Sequence, residues 1–153
     1  MKLSDGISRT SLSGTEKIPA TISGDSSNYN IPIRSFIPGA WTTHTPTVTA
    51  SSGTITSYTA TARYCQIGSV VFYRVKVVLT NIGTSSGSLQ ITLPVNAEYS
   101  SLGYQIISGI SYQGSNKAAK GVLTNTQILA SNYDATYFSS GDTIILEGFY
   151  EAA

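Results

Sequence analysis

The chain has 153 residues, of which 11 % are charged, and a formal net charge of +1, so it carries no row of cations with which to neutralise phosphates, and a nucleic-acid partner is not expected. Serine and threonine together exceed a quarter of the residues, and their hydroxyls can cover a surface in place of charge. The length suits one domain of a little over a hundred residues plus an appendage, and no stretch reaches the roughly 18 apolar residues of a membrane span.

The start, Met1-Lys2-Leu3-Ser4-Asp5-Gly6, lacks the apolar run of about 7–15 residues that follows the basic end of a secretory signal. The product is therefore expected in the cytoplasm until it is assembled or released. Residues 11–37, SLSGTEKIPATISGDSSNYNIPIRSFI, hold two short apolar clusters, EKIPATI and YNIPIRSFI, on either side of a SGDSSN turn. Each cluster contains a proline, which lacks a backbone donor and restricts a strand to an edge or a bulge. Two such clusters cannot bury a core alone. Residues 1–38 thus read as an extended arm, with Ile18, Pro19, Ile22, Ile31, Ile33, Phe36 and Ile37 forming an apolar docking face for a partner.

The pattern changes near Pro38-Gly39, and residues 39–153 read as a separate domain. From Thr45 onward the period is two, the repeat of a strand. The clearest segment is SVVFYRVKVVLT (69–80), with Val71, Tyr73, Val75, Val77 and Leu79 on one side and Phe72, Arg74, Lys76, Val78 and Thr80 on the other. TATARYCQI (59–67) precedes it across a tight turn at Gly68, and TNIGTSSGS (80–88) reads as a polar hairpin tip leading to SLQITLPV (88–95). NAEYSSLG (96–103) is the best helix candidate, at most one or two turns. YQIISGISYQG (104–114), KGVLTN (120–125) and QILA (127–130) follow, each bounded by turn residues. In DTIILEGFYE (142–151) the apolar sides are less cleanly separated, which suggests a central strand. Seven or eight short strands of this kind predict an all-β protein, an antiparallel β-sandwich of jelly-roll type.

Little in this chain supports catalysis. The single histidine, His44, reads as a hydrogen-bonded residue at the start of a strand, because serines and threonines are too numerous for their nearness to signify a nucleophile. A glycosidase needs two carboxylates facing across a sugar, and the eight available read as surface charge. Of these, Glu147 alone lies inside a strong strand pattern. DSSNYN (25–30) and SNYD (131–134) lack the carboxylate density and bidentate end of a calcium loop and read as turns. Cys65 cannot build a thiolate metal site alone, and no glycine-rich phosphate loop is present. No catalytic residue, metal or cofactor is therefore assigned. Tyr99, Tyr104, Tyr112, Tyr133 and Tyr137, in or beside predicted loops and strand ends, are the candidates for a contact surface, since a ring with a polar tip can stack on a sugar or anchor an interface.

Two parts of the chain resemble known modules. Trp41, then TPTVTASSGTITS, ARYCQIGSVVFYRVKV, LQITLPVNA and DTIILEGFYEA resemble a C-terminal β-sandwich module of structural proteins of tailed bacteriophages. Its departures include Ala62-Arg63, where a glycine near the arginine is expected, and a middle too variable to align. LSGTEKIPATISGDSSNYNIPIRSFI is similar to a short segment that opens many phage appendage proteins. The resemblance implies a virion protein, not an enzyme. Its arm would serve attachment or trimerisation and its sandwich would be displayed, as in a homotrimeric head fibre or capsid decoration docked on other virion proteins. The alternative it implies is a tail-associated module that binds a receptor or a host surface glycan.

Overall fold

The structure, a computed structural model, describes residues 17–21, 28–32, 40–98 and 103–153. The chain divides into two units, residues 1–39 and 40–153. In the first, β1 (Lys17–Thr21) pairs antiparallel with β2 (Asn28–Pro32), Lys17 opposite Pro32, Ile18 opposite Ile31 and Pro19 opposite Asn30. A two-stranded ribbon consists only of edges, the location a strand proline requires. The turn expected between the clusters lies outside the described residues, as do Ile22, Ile33, Phe36 and Ile37 of the expected docking face.

The second unit holds β3 (Thr42–His44), β4 (Val48–Ser52), β5 (Ser57–Ile67), β6 (Val70–Asn81), β7 (Ser86–Thr92), β8 (Ile106–Tyr112), β9 (Lys117–Leu123), β10 (Gln127–Asn132) and β11 (Thr143–Glu151). All nine pair antiparallel in one ladder, in the order β3-β5-β6-β11-β8-β9-β10-β7-β4. The described residues contain no helix. The two ends of this ladder, β3 and β4, are consecutive in sequence and only residues 45–47 join them, so the sheet has to curl until its ends meet. Hydrogen bonds stitch that seam. His44 Nε2 donates to the Thr92 carbonyl at 3.2 Å, the Thr92 N–H donates to the Thr47 carbonyl while the Thr47 N–H donates to the Thr92 hydroxyl, and the Val48 N–H reaches the Tyr58 hydroxyl across the seam at 3.0 Å. The exposed edges are short or bent: β3 has three residues, and β4 carries a bulge between Ala50 and Ser52. Both features discourage edge-to-edge pairing.

The curled sheet closes on a single core. Val71, Tyr73, Val75, Val77 and Leu79, the apolar side of the alternation in β6, are all at most 1 % exposed. They meet Leu89 and Ile91 of β7, Ile128 and Ala130 of β10, and Ile144, Leu146 and Tyr150 of β11. Between β6 and β8, β11 is central, as its less divided pattern suggested. The expected turn at Gly68 also forms: Ile67 pairs with Val70, and Gly68 has φ +59°, the first-position glycine that a two-residue hairpin loop favours.

Two expectations need correction. Residues 80–88 are not a hairpin tip, because β6 pairs with β5 and β11 while β7 pairs with β10 and β4. The segment instead carries the chain from one part of the ladder to another. At 96–103, Ala97 forms a β-bridge with Ala152 rather than starting a helix. Residues 99–102 lie outside the described part.

Two buried tyrosines make the energetics of the core testable. Among the described residues the Tyr73 hydroxyl has no hydrogen-bond partner, whereas the Tyr150 hydroxyl donates to the Val95 carbonyl at 2.9 Å. Burial holds the Tyr73 phenol far above its ordinary range and pushes Tyr150 up to about 12. Removing an unsatisfied hydroxyl costs nothing, while removing a bonded one orphans its acceptor. Tyr73→Phe is thus expected to be neutral or to stabilise by up to about 1 kcal/mol, and Tyr150→Phe to destabilise by about 1 kcal/mol, read as opposite shifts of the urea midpoint. Both phenols are raised above the unfolded value near 10, so the neutral forms stabilise the fold fully below that pH. Stability should then fall as pH rises from about 10 towards 12, and less steeply in Tyr73→Phe.

Candidate functional site: the outer face and the loop tyrosines

The residues that alternate outward from the core do not all form a polar surface. On the outer side of β6, β11 and β8, Phe72, Phe149, Ile106 and Ile110 are exposed, Phe149 at 67 % and Ile106 at 64 %. Phe72 stands directly opposite Phe149, their ring centres 6.2 Å apart and tilted by 51°. One step along, Arg74 stands opposite Glu147, with Nε 3.4 Å from Oε2 in an open ion pair; one step further, Ile145 stands opposite Ile110. Apolar residues thus lie on both sides of the Arg74–Glu147 pair on one sheet face, with Lys76 opposite Ile145 on its β6 side. Contiguous exposed apolar surface of this kind marks an interaction site more often than isolated exposed residues do.

The sequence contained the signal for this face without disclosing it. Phe72 fell on the charged side of the β6 alternation, where it looked like one apolar residue among solvated ones. Phe149 and Ile110 belong to other strands, and only the register brings them beside it.

The structure does not gather the five candidate tyrosines. Tyr99 lies outside the described residues. Tyr104, 64 % exposed, precedes β8, whereas Tyr112, half-buried, ends it. Seven strand residues at about 3.3 Å each put these two ends roughly 20 Å apart. Tyr133 and Tyr137, both exposed, follow β10 near the Tyr112 end, because the Tyr133 N–H bonds the Ala118 carbonyl beside Ile110. Lys120 Nζ lies 5.6 Å from the centre of the Tyr133 ring, a cation–π contact. Tyr112, Tyr133 and Tyr137 therefore share one end of the sheet, and Tyr104 stands at the other.

The remaining polar candidates are occupied by the fold. In the loop after β10, Asp134 accepts from the Thr136 N–H and hydroxyl and, at 2.8 Å, from Lys117 Nζ. The Lys117 bond, with the two from Thr136, holds the Asp134 carboxyl well below the usual carboxylate range. Of SNYD, Ser131 and Asn132 close β10 and only Tyr133 and Asp134 turn. Glu147 faces outward on β11, while Asp142 is fully buried and accepts from the Ser115 and Ser139 backbones. These two carboxylates do not face a common space. Cys65 is 5 % exposed within β5. Among the described residues, no group of three or more His, Cys, Asp and Glu is placed to hold a metal ion.

Comparison with protein-family models, curated proteins and solved structures found no match for this chain.

Proposed function

We propose that the chain is a structural accessory protein of a tailed-bacteriophage virion: a short homotrimeric head fibre or capsid decoration, assembled in the host cytoplasm, without catalytic activity. Residues 1–38 are its attachment and oligomerisation arm, and residues 39–153 are the displayed domain. The two sequence resemblances support this reading. The observation that carries it is the uncovered Phe72–Phe149 row, with Ile106 and Ile110 beside it. Further copies of the same chain are the occupants that suit this row: the Arg74–Glu147 pair offers both charge signs at its centre, so around a threefold axis the Arg74 of each copy can meet the Glu147 of the next. We read the domain as a sandwich of jelly-roll type in its layering, with flanks of one curled ladder packed across a shared core. Its strand order, a β8-β9-β10 meander between β11 and β7, is its own.

The test is the mass of the full chain in solution. Light scattering after size exclusion is expected to give three chains per particle at micromolar concentration, and Phe72→Ser/Phe149→Ser to dissociate them. A stable wild-type monomer would overturn the reading. A second reading, a tail-associated module for a receptor or carbohydrate, is favoured by the exposure of Tyr133 and Tyr137 at one end of the sheet. It requires cell adsorption that is lost on changing both to Ala.

A further inference from the structure

On the outer face of β3, β5 and β6 lies a cleft of about 330 Å³ lined by Thr43, Thr61, Arg63, Arg74 and Lys76. A second hollow, of about 310 Å³, adjoins it, lined by Trp41 and the same two arginines. The register explains why these side chains converge. Thr43 stands opposite Arg63, Arg63 opposite Arg74, and Thr61 opposite Lys76, so a row across β3, β5 and β6 and a neighbouring row across β5 and β6 lie on one face.

The charge of this cleft is unusual for the chain. The net formal charge of the whole protein is +1, yet three cations share one small concavity. Like charges directly opposite across strands work against the sheet, and Arg63 and Arg74 are such a pair. The carboxylate that the register brings near is Glu147, on the far side of Arg74, and both partners of that ion pair are mostly in solvent. Among the described residues, Arg63 and Lys76 have no ion pair. The cleft therefore presents uncompensated positive charge, two guanidinium forks and threonine hydroxyls beside a Trp41 ring that is 47 % exposed.

Each of these groups recognises a different part of one ligand class. A guanidinium fork binds a carboxylate or phosphate through paired N–H bonds. An exposed indole covers the apolar face of a pyranose ring. Hydroxyls such as those of Thr43 and Thr61 both donate to and accept from sugar hydroxyls. The volume sits at the small end of the range of about 300–1,000 Å³ typical of small-molecule sites, which suits a short saccharide.

We propose that this cleft is a binding site for an anionic saccharide, its carboxylate or phosphate held between Arg63 and Arg74 and its ring laid against Trp41. The site is separate from the loop tyrosines; it adjoins the Phe72–Phe149 row and shares Arg74 with it, while Arg63, Thr43, Thr61 and Trp41 belong to the cleft alone. It does not depend on the chain being a virion component.

The experiment is calorimetric titration of the full-length protein with four probes: trigalacturonate, a phosphorylated trisaccharide, neutral maltotriose and a short oligothymidylate. One or both anionic sugars should bind with a dissociation constant of about 1 mM or tighter, and maltotriose about tenfold more weakly or not at all. The sugar that binds identifies the charged group. Arg63→Gln should weaken that binding about tenfold and Trp41→Ala severalfold, while Glu147→Gln, which releases Arg74, should strengthen it. All three changes are on the surface, and an unchanged melting temperature and circular dichroism spectrum confirm that each variant is folded. Four outcomes would each overturn the proposal: no binding of either anionic sugar, equal binding of maltotriose, wild-type affinity in both Arg63→Gln and Trp41→Ala, or tighter binding of oligothymidylate, which would make the cleft a phosphate-backbone contact instead.

Discussion

Asp142→Ala is expected to lower the unfolding free energy by about 3 kcal/mol or more, because it removes a fully buried carboxylate whose oxygens are all engaged. One oxygen accepts from the Ser115 N–H at 2.6 Å, the other from the Ser139 N–H at 2.8 Å, and the Ser115 hydroxyl lies within reach of both. The Asp142 backbone is tied in as well, its carbonyl accepting from the Leu79 N–H. The side chain thus joins the turn between β8 and β9 to the loop before β11, while the residue's backbone ties that loop to β6. Asp142→Asn keeps the shape but turns an NH2 group towards one of these donors, so a loss of about 2 kcal/mol is expected. Urea unfolding of the three proteins checks this. A loss below about 1 kcal/mol for Asp142→Ala would mean that water satisfies the orphaned N–H groups.

Gly109→Val should have a still larger effect, removing cooperative unfolding at room temperature, a loss beyond about 4 kcal/mol. A Cβ on Gly109 would collide with the Ile145 carbonyl oxygen and sit 2.9 Å from the Leu146 Cα. Those atoms are backbone of the central strand β11 and cannot rotate away. Gly109 also pairs with Ala119 of β9, so a shift of β8 disturbs ladders on both sides. The control is Ser108→Val, one residue earlier and exposed on the outer face, where a change within about 0.5 kcal/mol is expected. Thermal unfolding followed by circular dichroism separates the two. A melting curve for Gly109→Val close to that of the control would show that β8 accommodates a side chain there.

Much of the fold could be read from the residues in order. The alternation in residues 69–80 named the buried side of β6 correctly, because burial of every second residue is a property of one strand and leaves its mark on that strand alone. Gly68 marked its turn for the same reason: the left-handed backbone it adopts is a local requirement. The tyrosines after β10 were legible as exposed, but which end of the sheet each occupies was not, since Tyr104 and Tyr112 look alike until the direction and length of β8 are known.

The amino-acid sequence by itself determined the all-β class, the inward residues of the longest strands and the tightest turn, since these follow from steric and burial preferences acting over a few neighbouring residues. The tertiary structure alone decided which strands pair. It turned residues 80–88 from a hairpin tip into a crossing and brought the ladder's ends together at residues 45–47. It also set Arg63 against Arg74 and Phe72 against Phe149. Periodicity reports the face a residue takes and not its neighbour across the ladder. Neighbours are chosen by the collective fit of nine strands around one core, and both the cationic cleft and the apolar row are products of that choice.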